Sequence, residues 1–355
     1  MSESRVRLDK IASVTRNCRL APDVVVSPKV DCRAGAVLAV RILGEKGTYN
    51  QLEDVHGRMS FLHGGDVIAG ALGHRNALHG YSGVVPEKLA VGETVHVLNL
   101  GGVLGHCVSH NPEVGEPFRA EVLGSVLAFP TFQSRSGVPA HISMNALPPA
   151  EALEGRAPVV FVAGTCMNAG KTLAACQIVR HLAHRGLKVG GAKLTGISLM
   201  RDVLSMRDYG AWRALTFTDV GVVATDPATA VPASRAILGE LARGAPDVIV
   251  AELGDGILGD YGVQSILSEP AFRGRAAAMV LCANDPVGAW GGVEILRRTF
   301  QWGVNVVSGP ATDNEVGCRY VRDELNVPAL NARTHGPQLA EQVADKVAQF
   351  SGAAA

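Results

Sequence analysis

From Val159 onward the apolar positions come in short unbroken runs. Val159-Val-Phe-Val-Ala163, Leu187-Lys-Val-Gly-Gly-Ala-Lys193, Asp247-Val-Ile-Val-Ala251, Ala276-Ala-Ala-Met-Val-Leu-Cys282, Gly303-Val-Asn-Val-Val307 and Val327-Pro-Ala-Leu330 read as buried strands. Between them lie stretches with helical spacing. Residues 172–184 place Leu173, Cys176, Val179 and Leu182 near one face, with Gly186 as a stop. Residues 234–243, 292–301 and 338–350 read as further helices. Strand and helix alternation predicts an α/β domain with a parallel sheet covered on both faces.

The first 130 residues have a different texture. Short β-like runs, such as Asp23-Val-Val-Val-Ser27, Ala36-Val-Leu-Ala-Val-Arg-Ile42, Thr94-Val-His-Val-Leu-Asn-Leu100 and Glu121-Val-Leu-Gly-Ser-Val-Leu-Ala-Phe129, are punctuated by Gly, Pro, Asn and Asp at turn spacing. No long amphipathic helix is evident. The expectation is a small, mostly antiparallel β-domain over residues 1–130, a barrel or a sandwich. Pro130, Pro139, Pro148, Pro149 and Pro158 mark a connector over 131–157, and 158–355 form the second domain.

Composition narrows the function classes. A chain of 355 residues exceeds one ordinary core, and 47% apolar with 19% charged residues suits a globular protein. The net charge is zero, so electrostatics give no case for nucleic acid or an anionic membrane as a partner. No apolar run is long enough to span a bilayer, and the first residues lack the apolar core of a signal peptide. The expected compartment is the cytoplasm. Seven cysteines, an odd number with no Cys-x-x-Cys pair, fit buried thiols in a reducing environment.

The strongest chemical signal is Gly164-Thr-Cys-Met-Asn-Ala-Gly-Lys-Thr172. A polyphosphate needs several backbone N–H donors aimed at one point, and it gains from the positive end of a helix. A glycine-rich turn between a strand and a helix supplies both. Thr165, Asn168, Ala169, Gly170, Lys171, Thr172 and Leu173 are the expected cradle. Lys171 contacts the outer phosphates, and the Thr172 hydroxyl is placed for magnesium. The residue six before the lysine is Thr165 rather than glycine, with Gly164 one position earlier, so the loop is a longer variant. Cys166 offers its backbone N–H; the alternative is a thiol activated by the helix terminus.

Gly-Thr, four residues, then Gly-Lys-Thr after a strand resembles dethiobiotin synthetase and the cobyrinic acid a,c-diamide synthases, of the SIMIBI class of P-loop proteins. The pattern is also similar to a P-loop family containing D-glutamate N-acetyltransferase-like proteins. The resemblance covers roughly residues 158–348 and leaves out the β-domain. It implies ATP and Mg2+ as cofactors and a homodimer with the site near its interface. It implies that Lys193, in Lys193-Leu-Thr-Gly196, faces substrate and γ-phosphate, although the family's Lys-Pro is here Lys193-Leu194. Glu252, in Glu252-Leu-Gly-Asp-Gly256, is the implied magnesium ligand, with Asp255 a second candidate. The family also brings an aspartate to the metal from the region of Arg201-Asp202 and Arg207-Asp208, which leaves Asp208 and Asp202 as alternatives. Asn284-Asp-Pro-Val-Gly288 corresponds to a segment near substrate. Ser308 and Pro310, in Ser308-Gly-Pro-Ala-Thr-Asp-Asn314, and Asn331, in Asn331-Ala-Arg333, correspond to loops around the base.

Seven of the eleven histidines precede the connector, His56, His63, His74, His79, His96, His106 and His110, and His141 lies within it. His106-Cys107-x-x-His110 offers metal-ligand types, but its spacing matches no closed zinc pattern, so packing or substrate contact is the expectation. The reading that follows is an ATP-dependent, ligase-like enzyme. It passes a γ-phosphoryl group to a small carboxylate, with Lys171, Lys193 and Glu252 as its catalytic residues. A nucleotide-driven switch or metallochaperone is one alternative. An acyl-group transferase using the loop for a cofactor phosphate, such as that of coenzyme A, is the other.

Overall fold

A computed structural model describes residues 2–131 and 136–353. The chain forms two compact units. One runs through Leu147 and adds Ile197–Met200 and Thr218–Ala224. The other comprises Pro148–Gly196, Arg201–Phe217 and the described residues from Thr225 on.

In the first unit five strands pair in a closed ring. Phe118–Ala128 pairs Val37–Leu43, which pairs Val67–Leu72. That strand runs parallel to Val103–His110, which pairs Thr94–Val97, which returns to Phe118–Ala128. Alternation explains the closure. Leu38, Val40, Ile42, Ile68, Leu104, Val122 and Val126 are buried in a common core, so every strand turns one face inward and the edges pair with each other. The five strands thus close on themselves as a small barrel. The run at Thr94 stops at Val97 because Asn99 binds locally: its Oδ1 accepts from the Val103 N–H at 2.9 Å.

The second unit carries a six-stranded parallel sheet. In chain order its elements are β1 (Val159–Gly164), α1 (Lys171–His184), β2 (Val189–Lys193), α2 (Arg201–Asp208), β3 (Arg213–Thr216), α3 (Ala230–Arg243), β4 (Val248–Glu252), α4 (Val263–Ser268), α5 (Pro270–Arg273), β5 (Ala276–Cys282), α6 (Pro286–Arg298), β6 (Val306–Ser308), α7 (Glu315–Leu325) and α8 (Gly336–Ala353). The strand order is β3-β2-β4-β1-β5-β6. β1 is buried along its whole length, as an unbroken apolar run in a central parallel strand should be. On one face Val160 and Val162 join Ile178, Val179 and Leu182 of α1 and Leu339 and Val343 of α8. On the other, Phe161 meets Trp302 edge-on at 5.1 Å.

Among the elements that differ from the sequence expectation, which include the unexpected helices α2, α4, α5 and α7, three have local reasons. β3 is an edge strand whose run, Arg213-Ala-Leu-Thr216, is too short and too polar at its ends to stand out. The run at Val327 makes only a bridge between Ala329 and Val307, since Pro328 has no N–H to give a ladder. α6 begins at Pro286, six residues before the periodic stretch, because Asp285 caps it by accepting from the Gly288 N–H at 2.8 Å.

Candidate functional site

Parallel strands deliver their carboxyl ends to one edge, and the register fixes which residues meet there. Lys193 of β2 is the Cα partner of Glu252 of β4, which in turn pairs Val162 of β1. Gly164 pairs Cys282 of β5, and Cys282 pairs Ser308 of β6. The phosphate loop leaves β1 in the middle of this edge and enters the 14-residue α1 at Lys171.

Asn168 and Gly170 take left-handed backbone angles, φ 59° and 91°, which curl the loop. Ala169 is fully buried. Lys171 folds back over Gly164, where a Cβ would lie 2.8 Å from its Cδ, and its ammonium donates to the Cys166 carbonyl at 2.8 Å. The ammonium thus lies across the loop that carries it. The Cys166 thiol accepts from Asn284 Nδ2 at 2.9 Å, a contact with no signal in the sequence pattern.

Two neighbouring loops approach the phosphate loop so closely that only glycine fits. A Cβ on Gly256 would lie 2.6 Å from the Thr165 carbonyl oxygen. Gly309, at φ 87°, would place a Cβ 2.3 Å from the Ala169 carbonyl oxygen and 2.9 Å from that of Ala283. Gly309→Ala is therefore expected to destabilise the chain by about 1–3 kcal/mol, combining positive φ with backbone overlap. Urea midpoints of the two chains check this, and equal midpoints would contradict the close approach.

Behind the loop lies a buried charge cluster. The Thr172 hydroxyl donates to Glu252 Oε1 at 3.1 Å. Glu252 Oε2 is buried with no hydrogen-bond partner among the described residues. Lys193 forms an ion pair with Asp202, and both are buried. Burial, then the nearby Asp202 charge, pushes the Glu252 carboxyl above the usual range. Burial alone would also raise Asp202, but the Lys193 contact outweighs it and holds that carboxyl low. Burial disfavours the Lys193 charge, yet Asp202 and Glu252 together hold its pKa above the ordinary lysine value. Asp255, on the loop after β4, is raised by burial.

The two candidate aspartates separate clearly. Asp202 sits on the buried face of α2 with Met206, four residues on, whereas Asp208 is exposed at the helix end. The structure brings Asp202, not Asp208, to Lys193 and Glu252. Helical spacing from Met206 would have singled out Asp202. Of the base-loop residues, Ser308 and Asn331 are buried and tie the two loops to each other. Ser308 Oγ accepts from the Ala332 N–H at 3.1 Å, and Asn331 Nδ2 donates to Asp313 at 2.8 Å. Pro310 is exposed. Leu173 and Thr165 are half-buried.

An orphaned buried carboxylate oxygen beside a threonine hydroxyl and a second carboxylate is a set of hard oxygen donors, which fits Mg2+. Among the described residues no three His, Cys, Asp or Glu side chains form a metal cluster. Mg2+ does not need one, since it takes one or two protein ligands and completes its shell with water and phosphate oxygens. Two of the N-terminal histidines meet each other: the His96 and His106 rings lie edge-on at 6.4 Å, and His96 Nδ1 accepts from the Cys107 N–H at 3.2 Å.

No protein-family model matches the chain, and no curated protein matches it. Solved structures align with part of it. The signal recognition particle receptor FtsY of Elizabethkingia anophelis is 12% identical with a TM-score of 0.38, covering 57% of this chain and 68% of that one. The signal recognition particle 54 kDa protein of Aeropyrum pernix, in complex with GDP, is 16% identical with a TM-score of 0.37, covering 56% and 48%. A DUF1611 family protein from Anabaena variabilis is 14% identical with a TM-score of 0.38, covering 56% and 63%.

Proposed function

We propose that this chain is an Mg2+-dependent nucleoside triphosphate enzyme that transfers the γ-phosphoryl group of ATP to a small carboxylate. The observation that carries the metal and nucleotide part is Glu252: its Oε1 meets Thr172, the residue after the loop lysine, while its buried Oε2 is unanswered. A carboxylate is costly to keep in that state unless a cation completes it.

The chain's own groups then have definite tasks. Loop amides from Thr165 to Thr172 and the α1 terminus bind the phosphates. Lys171 exchanges the Cys166 carbonyl for phosphate oxygens and stabilises charge that develops there. Thr172 and Glu252, with Asp202 near them, would hold Mg2+, which when bound neutralises β- and γ-phosphate charge. Lys193, held in place by Asp202, would orient the acceptor carboxylate. The γ-phosphorus bond to the bridging oxygen breaks as its bond to the carboxylate oxygen forms, giving an acyl-phosphate and ADP. Catalysis is positioning and electrostatics, so no side-chain nucleophile is required. ATP and a homodimer come from the sequence resemblance.

A second reading, a nucleotide switch that hydrolyses without an acceptor, is favoured by one fact: Lys193 is held by Asp202 and offers no free cation in this state. Phosphate release from ATP, with and without Mg2+, and with a panel of small carboxylic and amino acids, separates the two. Release that needs Mg2+ and rises many-fold with one acid supports transfer. Mg2+-dependent release indifferent to every acid supports the switch. Release that ignores Mg2+ removes both.

A further inference from the structure

A cavity of about 810 Å³ lies in the first unit, on the outer side of the barrel wall. Along Asp23–Ser27, Val24 and Val26 point into the barrel core, so Val25 points out. Along Phe118–Ala128, Val126 is in the core and Leu127 faces out. An antiparallel sheet with one face in its core ordinarily presents polar residues on the other. Here Val25 and Leu127 make an apolar patch on that face, with Arg5, Arg7, Asp23, Ser27 and Ser125 around it. The register aligns Arg5, Val25 and Leu127 across three neighbouring strands, giving an apolar floor with a cation at one edge. Phe129 continues the floor and is 45% exposed. Leu20 and Met144 form walls.

Two guanidiniums border this space, Arg5 and Arg19, and neither has an ion-pair partner among the described residues. Arg19 is fixed at the end of the 3-10 helix Ser13–Cys18, at φ 50° with its N–H on the Arg16 carbonyl. The one carboxylate at the rim, Asp23, already faces Arg7 at 3.3 Å, so its charge is answered from outside the cavity. The Cys18 thiol is neutral, pushed up to about 12 by burial. The cavity therefore combines an apolar patch with two guanidiniums that have no ion-pair partner among the described residues, the complement of an anion with an apolar body.

We propose that this cavity binds a small carboxylate with an apolar body, its head held by Arg5 and Arg19 and its body on Val25, Leu127 and Phe129. None of its residues belongs to the phosphate loop, and the site does not rest on the function proposed for that loop.

Calorimetric titration of the full chain with hexanoate, hexanol, hexylammonium, acetate and inorganic phosphate tests this. Hexanoate is expected to bind, and acetate, phosphate and hexylammonium are not. Arg5→Gln and Arg19→Gln are each expected to weaken hexanoate about tenfold, one charge-assisted contact apiece. Both side chains are exposed, so melting temperatures should not change. Lys171→Ala should bind hexanoate as the parent does, which separates this site from an acceptor site at the phosphate loop. Hexanol binding as tightly as hexanoate, hexanoate affinity unchanged in both arginine variants, or no binding of hexanoate would each overturn the proposal.

Discussion

Replacing Glu252 by glutamine is expected to end Mg2+-dependent turnover while raising the melting temperature of the nucleotide-free chain. Both effects follow from one buried group. Without a cation, Glu252 Oε2 has no partner among the described residues, and the nearby Asp202 charge opposes ionisation. Glutamine keeps the size and the Thr172 contact but removes the charge. A gain of roughly 1 kcal/mol, a shift of about 2–4 °C for a domain of this size, is the expected magnitude. Turnover should fall on the order of 10²–10³-fold, as when one preorganised electrostatic contact is removed. The pH dependence carries the same signature. Because the folded pKa is raised, the folded chain keeps a proton that the unfolded chain has released, across the window from the ordinary glutamate range up to the raised value. Stability is therefore fully present below that window and falls as pH rises through it. The Glu252→Gln variant has no such slope from this position. Added Mg2+ should stabilise the parent, more so at higher pH, and leave Glu252→Gln unmoved. A variant that melts lower, or that keeps Mg2+-dependent turnover, would remove Glu252 from the metal site.

Much of this was legible in the sequence, and the parts that were not have physical reasons. β1, β4 and β5 were readable because central parallel strands are buried on both faces, so Val159-Val-Phe-Val and Asp247-Val-Ile-Val carry no polar interruption. The loop was readable because Gly170-Lys171-Thr172 follows such a strand. Glu252 was legible as a strand-end carboxylate, and the register with Lys193 then follows from strand adjacency. Strand adjacency itself was not legible, since no local pattern says that β4 rather than β2 lies beside β1. The Asn284 contact to Cys166 and the approach of Gly309 to Ala169 likewise depend on which loops share the edge. Choosing Asp202 over Asp208 needed only helical phase, because Val203 and Met206 mark the buried face of α2. The barrel's closure lies between these cases. Alternation announced inward and outward faces, but the parallel pairing of Val67–Leu72 with Val103–His110 that completes the ring joins residues distant in sequence.

Separating Lys193 from Asp202 should be the most damaging change to stability in the second unit. Each is buried, and each loses its counter-charge when the other is replaced. Lys193→Met leaves Asp202 and Glu252 together without the cation between them, and Asp202→Asn leaves a buried ammonium. Either is expected to cost about 3–5 kcal/mol in urea unfolding. The pH profile of the parent gives the sign. Asp202 is held low, so its contribution is present above the ordinary aspartate range and is lost as pH falls through its depressed value. Lys193 is held high, so its contribution is present below the ordinary lysine range and is lost as pH rises through its elevated value. The double replacement Lys193→Met with Asp202→Leu decides what the pair is for. An apolar pair of similar volume should recover most of the stability lost by either single change, because neither a lone buried charge nor the cost of desolvating two charges remains. If the pair is only structural, that double variant keeps the parent's phosphate release. If Lys193 is the group that receives the acceptor, the double variant folds, retains Mg2+-nucleotide binding through Lys171, Thr172 and Glu252, and loses every acid-stimulated increment. Single changes that each cost less than about 1 kcal/mol and simply add would show that the two charges are not a buried unit.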